Sequence, residues 1–392
     1  MRRSAGIPVL VTLSVGAALA DPPDGFEIID IVADRLSWID VPYLNNCAQV
    51  VFSPMPEPRN ESHEIFLYDN GYLTQMTRNE VPDNFPDIND EGAMTWTVGD
   101  QGQFGGKVVI LTQGEIIVLG EGRTSRINNV GHVAWVRYNG QGCSEADADI
   151  FFFDGQSVRQ LTDDSTTKGG PVINDGDDIT WARADLCKNP YVRAVMLYSE
   201  GRIIKLPNLY ASASLAHINN PRQVAFGGSS AGVELWEGGV NRLITDWGSH
   251  PRINDAGEIF FLRFFDDNRT WQGHLYRPDG EILQLTDDPF WNTDGDINNW
   301  GEIVWRAVNV RTSERRVRLM RRVRTGDSEF DSDIDLIDYA QFAACMTGPE
   351  WVKRKNPGPH DSLCDCRFLD INHDGDVDLA DFALFQNAFT GE

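Results

Sequence analysis

The chain is short of basic side chains. Its 392 residues carry 34 lysines and arginines against 59 aspartates and glutamates, a net charge of −25. Phosphate contacts need clustered Lys and Arg, so this balance argues against nucleic acid or an anionic membrane as main partner. Histidine is scarce too: seven copies, at 63, 132, 217, 250, 274, 360 and 373, and none in an H-E-x-x-H or comparable metal spacing. Beyond residue 20 no apolar run is long enough to span a bilayer as a helix. A nucleophile elbow is also missing. "GSSAG" at 228–232 has the G-x-S-x-G form, but "QVAF" and "VELW" flank it with strands where the elbow needs strand then helix. Ser230 is therefore expected in a hairpin loop.

What is present begins with an export signal. Arg2 and Arg3 precede an apolar run from Ile7 to Leu19, and Ala18-Leu19-Ala20 is a small-x-small cleavage site. Residues 1–20 are expected to be a cleaved signal peptide, giving a protein that is secreted, extracellular or cell-surface, with the periplasm as the alternative. Six cysteines in an exported chain point to disulfides. Cys143 and Cys187 lie at similar offsets in successive repeats and form a candidate pair. Cys345, Cys364 and Cys366 cluster near the C-terminus, and Cys47, in an apolar strand, is expected as a buried thiol. The pairings stay open.

One phrase, "I-N-D/N-x-G-x-I-x-W/F", recurs from Leu44 ("LNNCAQVVF") to Ile297 ("INNWGEIVW"). Its marker asparagines are Asn45, Asn89, Asn128, Asn174, Asn219, Asn254 and Asn298, spaced 35 to 46 residues apart. Between markers, apolar runs such as "DIFFFDG" and "VELWEGG" end in Asp-Gly-type turns, followed by short runs ending in "LT". Alternating apolar and β-branched residues joined by such turns predict antiparallel hairpins. A period near 45 with three or four strands per unit is that of a β-propeller blade. The Asn-Asp-x-Gly element builds a tight turn, since Asn and Asp bond the backbone two residues on and Gly accepts positive φ. Its role is thus expected to be mainly structural. The last marker lacks a full following set of strands, and "FEIIDIVADRLSW" near the N-terminus matches the missing piece. The expected fold class is therefore mainly β: a β-propeller over 21–324, seven-bladed with six as the alternative, its last blade completed by the N-terminal strand. Over roughly 25–324 the repeats resemble TolB-like and WD40-like propeller repeats, a likeness that implies fold but no activity.

Residues 325–392 differ in character. In "DINHDGDVDLAD", Asp370, Asn372, Asp374, Asp376, Asp378 and Asp381 fall at positions 1, 3, 5, 7, 9 and 12 of an EF-hand-type loop, with Gly375 at position 6. Forty-three residues earlier, "DSEFDSDIDLID" places Asp327, Glu329, Asp331, Asp333, Asp335 and Asp338 at the same positions. Ser332 replaces the glycine and Glu329 is longer than the usual ligand. Apolar residues at i, i+3 and i+7 follow each loop (Tyr339, Phe342 and Met346; Phe382, Phe385 and Phe389), predicting two short amphipathic helices. Hard oxygen donors at this spacing suit Ca2+, with two sites expected. Loop then helix, twice, resembles a type I dockerin. The resemblance implies a small α-helical calcium-binding module that docks on a cohesin-like protein.

Two further features are ambiguous. Eight arginines between Arg306 and Arg324 form the only basic stretch. They are expected on the exposed side of the last strand, the alternative being a contact with the acidic tail. Trp96, Trp135, Trp181 and Trp305 end the marker phrase and are expected in blade packing, whereas Trp247, Trp291 and Trp300 are expected in loops. The function expected is a non-catalytic binding or display propeller with an attachment module. Alternatives are a tethered propeller hydrolase acting on polysaccharide or peptide, and a tail that clamps its own propeller.

Overall fold

The computed structural model describes residues 22–389 apart from 35, 37, 56–62, 100–104, 140–146, 188–191, 208–214, 229–231, 266–269, 324, 329–332, 347–365 and 373–376. The signal segment, Ser230, Cys143, Cys364, His360 and His373 lie outside the described residues, as do Glu329, Asp331, Asp374 and Asp376.

Each marker phrase leads into an antiparallel sheet unit. Tyr43–Leu44, Val50–Phe52, Phe66–Asp69 and Tyr72–Gln75 form the first, in that order. The next two units share a seven-stranded sheet through one long strand, Glu115–Ile127. Its first part pairs with Gly106–Thr112, and its last residues pair with Val133–Tyr138. Gly122 sits at the crossing with φ 146°, where a Cβ would lie 2.3 Å from Trp135 Cδ1, so only glycine fits. Three units follow over 167–284. The last unit runs Trp291–Ile297, Ile303–Val308, Arg315–Arg322 and then Phe26–Asp34, the N-terminal strand taking the outer edge as the repeat pattern predicts.

Apolar side chains fill the gap between each unit and the next. Phe52, Trp96, Trp135, Trp181, Phe226, Phe261 and Trp305, the aromatic residues closing the seven phrases, are all buried. One apolar layer joins the last unit to the first, through Val304, Val317 and Leu319 against Leu44, Val50 and Phe52. Burial of a Trp or Phe removes 150–250 Å2 from water, and its truncation to Ala costs about 3–5 kcal/mol.

The marker asparagines explain the phrase. Each side-chain oxygen accepts from the N–H four residues on, closing its own turn. Each Nδ2 donates to the backbone carbonyl of the next marker: Asn45 to Asn89, Asn89 to Asn128, Asn128 to Asn174, and so on to Asn298, which returns to Asn45. That position must donate and accept, so Asp cannot serve there. The following residue accepts from the backbone N–H of its counterpart in the preceding unit, and the asparagines there also donate Nδ2 to a neighbouring aspartate. Asn and Asp both accept in this way, which is why the phrase reads N-D/N. Along this second cycle Asn46, Asp90, Asn129, Asp175, Asn220, Asp255 and Asn299 alternate, and no two aspartates are neighbours.

Three expectations are corrected. The basic stretch is not an exposed face. Arg318 is 1% exposed and bonds Asp288 and Asp30, Arg316 meets Asp30 at 2.7 Å, and Arg321 meets Glu27 at 2.7 Å. The N-terminal strand lies alongside and supplies the acids. Cys47 is not a free thiol: it is disulfide-bonded, as is Cys187. Trp247 packs on Phe261 and His274 under Arg263, and Trp300 packs on Phe368. Trp291 is the first residue of a strand rather than a loop residue, and is 40% exposed.

Among the described residues two helices follow the sheet units, α1 (Leu336–Cys345) and α2 (Leu379–Ala388). Asp335 and Asp378 cap them in the same way, each accepting from the N–H two residues on while Asp338 or Asp381 reaches back to the cap N–H. Among the described residues no helix is long and apolar enough to cross a membrane.

Candidate functional site

The inner strands of the seven units converge on a channel. Alternation along a strand puts the residues two and four before each marker on the same side. At minus two stand Tyr43, Asp87, Arg126, Val172, His217, Arg252 and Asp296. Six of them line a cavity of about 160 Å3 that also holds the two Asn/Asp cycles. Arg252 instead lines an adjoining chamber of about 230 Å3, with Tyr43, Arg126, His217, Val41, Phe85, Thr124, Leu215 and Asp294.

Several inner strands bulge just before the charged residue: the register shifts between Asn84 and Asp87, Arg123 and Arg126, and Ser249 and Arg252. Phe85, Thr124 and His250, each four before a marker, hold φ of 55°, 50° and 56°. Non-glycine residues in that region cost about 1–3 kcal/mol each. The extra residue in each bulge re-aims the side chain that follows.

Burial dominates the electrostatics. It pushes the Asp87 carboxyl up to about 6, against Arg126 and the N–H groups of Ile127 and Ile88 that favour its charged form. Burial likewise pushes Asp296 up to about 7, opposed by Arg252 and reinforced by the Asp87 charge. The same cause, with Arg252 and Arg126 adding to it, drives His217 well below the usual imidazole range. Asp294 differs. Burial would raise it, but Arg306, His250 and Arg252 outweigh this and hold it below the ordinary carboxylate value. His250 Nε2 lies 3.2 Å from Asp294, and Arg306 bonds the other carboxylate oxygen. The site was missed in the sequence because its seven residues share a position and no chemistry.

The expected calcium residues lie elsewhere. Asp333, Asp335 and Asp338 offer oxygens within 4.8 Å of one another. Asp338 is buried and accepts from Ser328 N–H at 2.6 Å, and Asp381, also buried, accepts from Asn372 N–H at 3.0 Å. Asp327, Asp370, Asn372 and Asp378 are described as well. An all-oxygen, acidic donor set fits a hard divalent cation. Equivalent positions of the two copies meet in one core: Ile334 and Val377 are both buried, and the Phe342 and Phe385 rings lie 5.1 Å apart. Cys345 and Cys366 form a disulfide across this core.

This segment touches the sheet units. Arg367 makes two bonds to Glu302, at 3.0 and 2.6 Å, and the Glu302 side chain is fully buried. Asn70 donates to Asp370 at 2.9 Å. Arg322 of the basic stretch feels the Asp327 charge of the tail, as the alternative expected, and a base of the acidic tail also binds an acid of the sheet units.

No protein-family model and no curated protein matches the chain. Solved structures do. A streptogramin B lyase superposes with a TM-score of 0.53 at 11% identity, over 76% of this chain and 98% of that one. The β-propeller domain of the Trilobed protease from Pyrococcus furiosus gives 0.55 at 10%, over 73% and 97%. An acylaminoacyl peptidase from Pyrococcus horikoshii gives 0.55 at 12%, over 73% of this chain and 52% of that one. At such identity the likeness concerns fold alone: the chain is mainly β, with β-propeller proteins as its structural neighbours.

Proposed function

We propose that the chain is an exported, seven-bladed β-propeller that binds or displays, joined to a calcium-stabilised, dockerin-like module that attaches it to a cohesin-like partner. The observation that carries the attachment role is the repeated surface of α1 and α2. Their cores interlock while Leu336, Ile337 and Leu379 stay 64%, 57% and 73% exposed at matching positions beside the loops. Ca2+ would be held by Asp327, Asp333, Asp335 and Asp338 in one loop, and by Asp370, Asn372, Asp378 and Asp381 in the other, with the loops' remaining acids. Binding to a site absent from the unfolded chain adds to folding stability. Asp338 and Asp381 also accept from backbone N–H groups of their own loop and helix cap.

The bidentate Arg367–Glu302 pair favours a second reading, in which the same module clamps the first and last blades together. A polysaccharide hydrolase in the channel is disfavoured. Each of its two adjoining chambers, about 160 and 230 Å3, is by itself smaller than the ~300–1,000 Å3 of ordinary ligand pockets.

Calorimetric titration of the full chain with Ca2+, paired with limited proteolysis in EDTA, tests the proposal. Two sites, or one, with chelator-dependent cleavage confined to 325–392, support it. No heat of binding and identical cleavage with and without EDTA overturn it. Cleavage that spreads into the strands at 26–34 and 315–322 in EDTA identifies the clamp.

A further inference from the structure

Two arginines of the channel, Arg252 buried and Arg126 half-buried, have no carboxylate within ion-pair distance among the described residues. Arg126 donates to the Ser125 carbonyl at 2.7 Å and to the Tyr43 hydroxyl, whose ring it covers at 3.9 Å. Arg252 is 8% exposed and donates to the Pro251 carbonyl at 3.1 Å, and its Nε has no partner among the described residues. These acceptors are all neutral. Among the described residues neither guanidinium forms an ion pair, and Asp294, the one carboxylate in the chamber wall, is engaged by Arg306 and His250. Asp87 and Asp296 act on these groups without direct contact, so an anion entering between the two guanidinium groups adds the hydrogen-bonded ion pairs that the described residues do not supply.

The rest of the wall sets the shape of that anion. Val41, Phe85, Pro171 and Leu215 present apolar surface to the same chamber. A fully hydrated ion such as phosphate would leave this surface unused, whereas a carboxylate on an apolar body would cover it. The volume of about 230 Å3 limits the guest to on the order of ten non-hydrogen atoms. We propose that this chamber binds a small monocarboxylate, its carboxylate between Arg126 and Arg252 and its apolar body against Phe85 and Leu215. A guanidinium matches a carboxylate in two parallel bonds, which Lys could not reproduce. Left-handed backbone at Phe85, Thr124 and His250 fits this assignment, because strained conformations concentrate where a ligand is gripped. The inference is independent of the C-terminal module.

The full chain titrated at pH 7 with benzoate, inorganic phosphate and benzylamine, by calorimetry and saturation-transfer NMR, decides it. Benzoate is expected to bind with Kd of about 10–500 μM, phosphate at least about tenfold more weakly, and benzylamine not at all. Arg252→Met should weaken benzoate at least about tenfold. Leu215→Trp, which fills the chamber and keeps both arginines, should abolish binding, and it decides the matter if Arg252→Met fails to fold in a thermal melt. Absence of benzoate binding up to about 10 mM overturns the proposal. So does benzylamine or phosphate binding as tightly as benzoate, or an unchanged benzoate Kd in Leu215→Trp.

Discussion

The Asn298 side chain donates to the backbone carbonyl of Asn45 at 3.1 Å, across 253 residues of sequence. It is the last link of a cycle whose other six links each join neighbours 35 to 46 residues apart. Six links join units adjacent in sequence, and the seventh joins the last unit to the first. The last unit therefore meets the first through a side-chain amide and an apolar layer, and the N-terminal strand pairs with the last unit.

Asn298→Asp tests the rule that this position must donate. It keeps the acceptor for the Trp300 and Glu302 N–H groups but loses the bond to Asn45 and sets a carboxylate against Glu302, now bonded at 2.7 Å. Urea unfolding should show a loss of about 2–4 kcal/mol. Asp255→Asn, one position past its marker, keeps the acceptor for Asn220 N–H but loses the oxygen that accepts from Asn220 and Asn299 Nδ2. It should cost about 1–2 kcal/mol, less than Asn298→Asp because both lost bonds are exposed.

The channel carboxyls give stability a pH dependence of unusual sign. Their folded values, about 6 for Asp87 and about 7 for Asp296, lie above the ordinary value of 3.8. Their contribution is complete below about pH 4 and is lost as pH rises through 6 to 7. Asp296→Asn removes one of these terms. Its melting temperature should fall less than that of the parent between pH 5 and 8, with a gain at pH 8 of a few kcal/mol, on the order of 1.4 per unit. A parallel pair of melting curves would refute the assignment.

The tail contact is tested by a double-mutant cycle at Arg367 and Glu302. Arg367→Met strands a fully buried carboxylate and should cost about 3–5 kcal/mol. The Arg367→Met/Glu302→Met pair should recover part of this, with a coupling of about 1–3 kcal/mol. Hydrogen exchange read at 366–371 should quicken in the single variant alone.

Cys345→Ser opens a crosslink spanning 21 residues. A loop of that length predicts a loss of about 3 kcal/mol, felt within α1 and α2 and not in the sheets. Circular dichroism near 222 nm, compared with Trp fluorescence on the same urea series, separates the two.

The repeat was legible in sequence because one local rule recurs. An Asn that must both donate and accept cannot vary, and the aromatic closing each phrase must fill a gap of fixed size. The tail was legible for the same reason: Ile334 and Val377, like Phe342 and Phe385, stand at equivalent places in two copies. Arg306 to Arg324 misled because an alternating basic strand looks solvated until the acids of Phe26–Asp34 are laid beside it. Those two segments are nearly three hundred residues apart.

Sequence by itself determined the units, since turn chemistry, strand alternation and aromatic placement act within some 45 residues. Only the tertiary structure decided the channel. Tyr43, Asp87, Arg126, His217, Arg252 and Asp296 each occupy an ordinary strand position two before a marker, and no local pattern links them. They become a site because closing the ring brings these inner strands to one axis. There burial raises two carboxyls and leaves two guanidinium groups facing neutral acceptors.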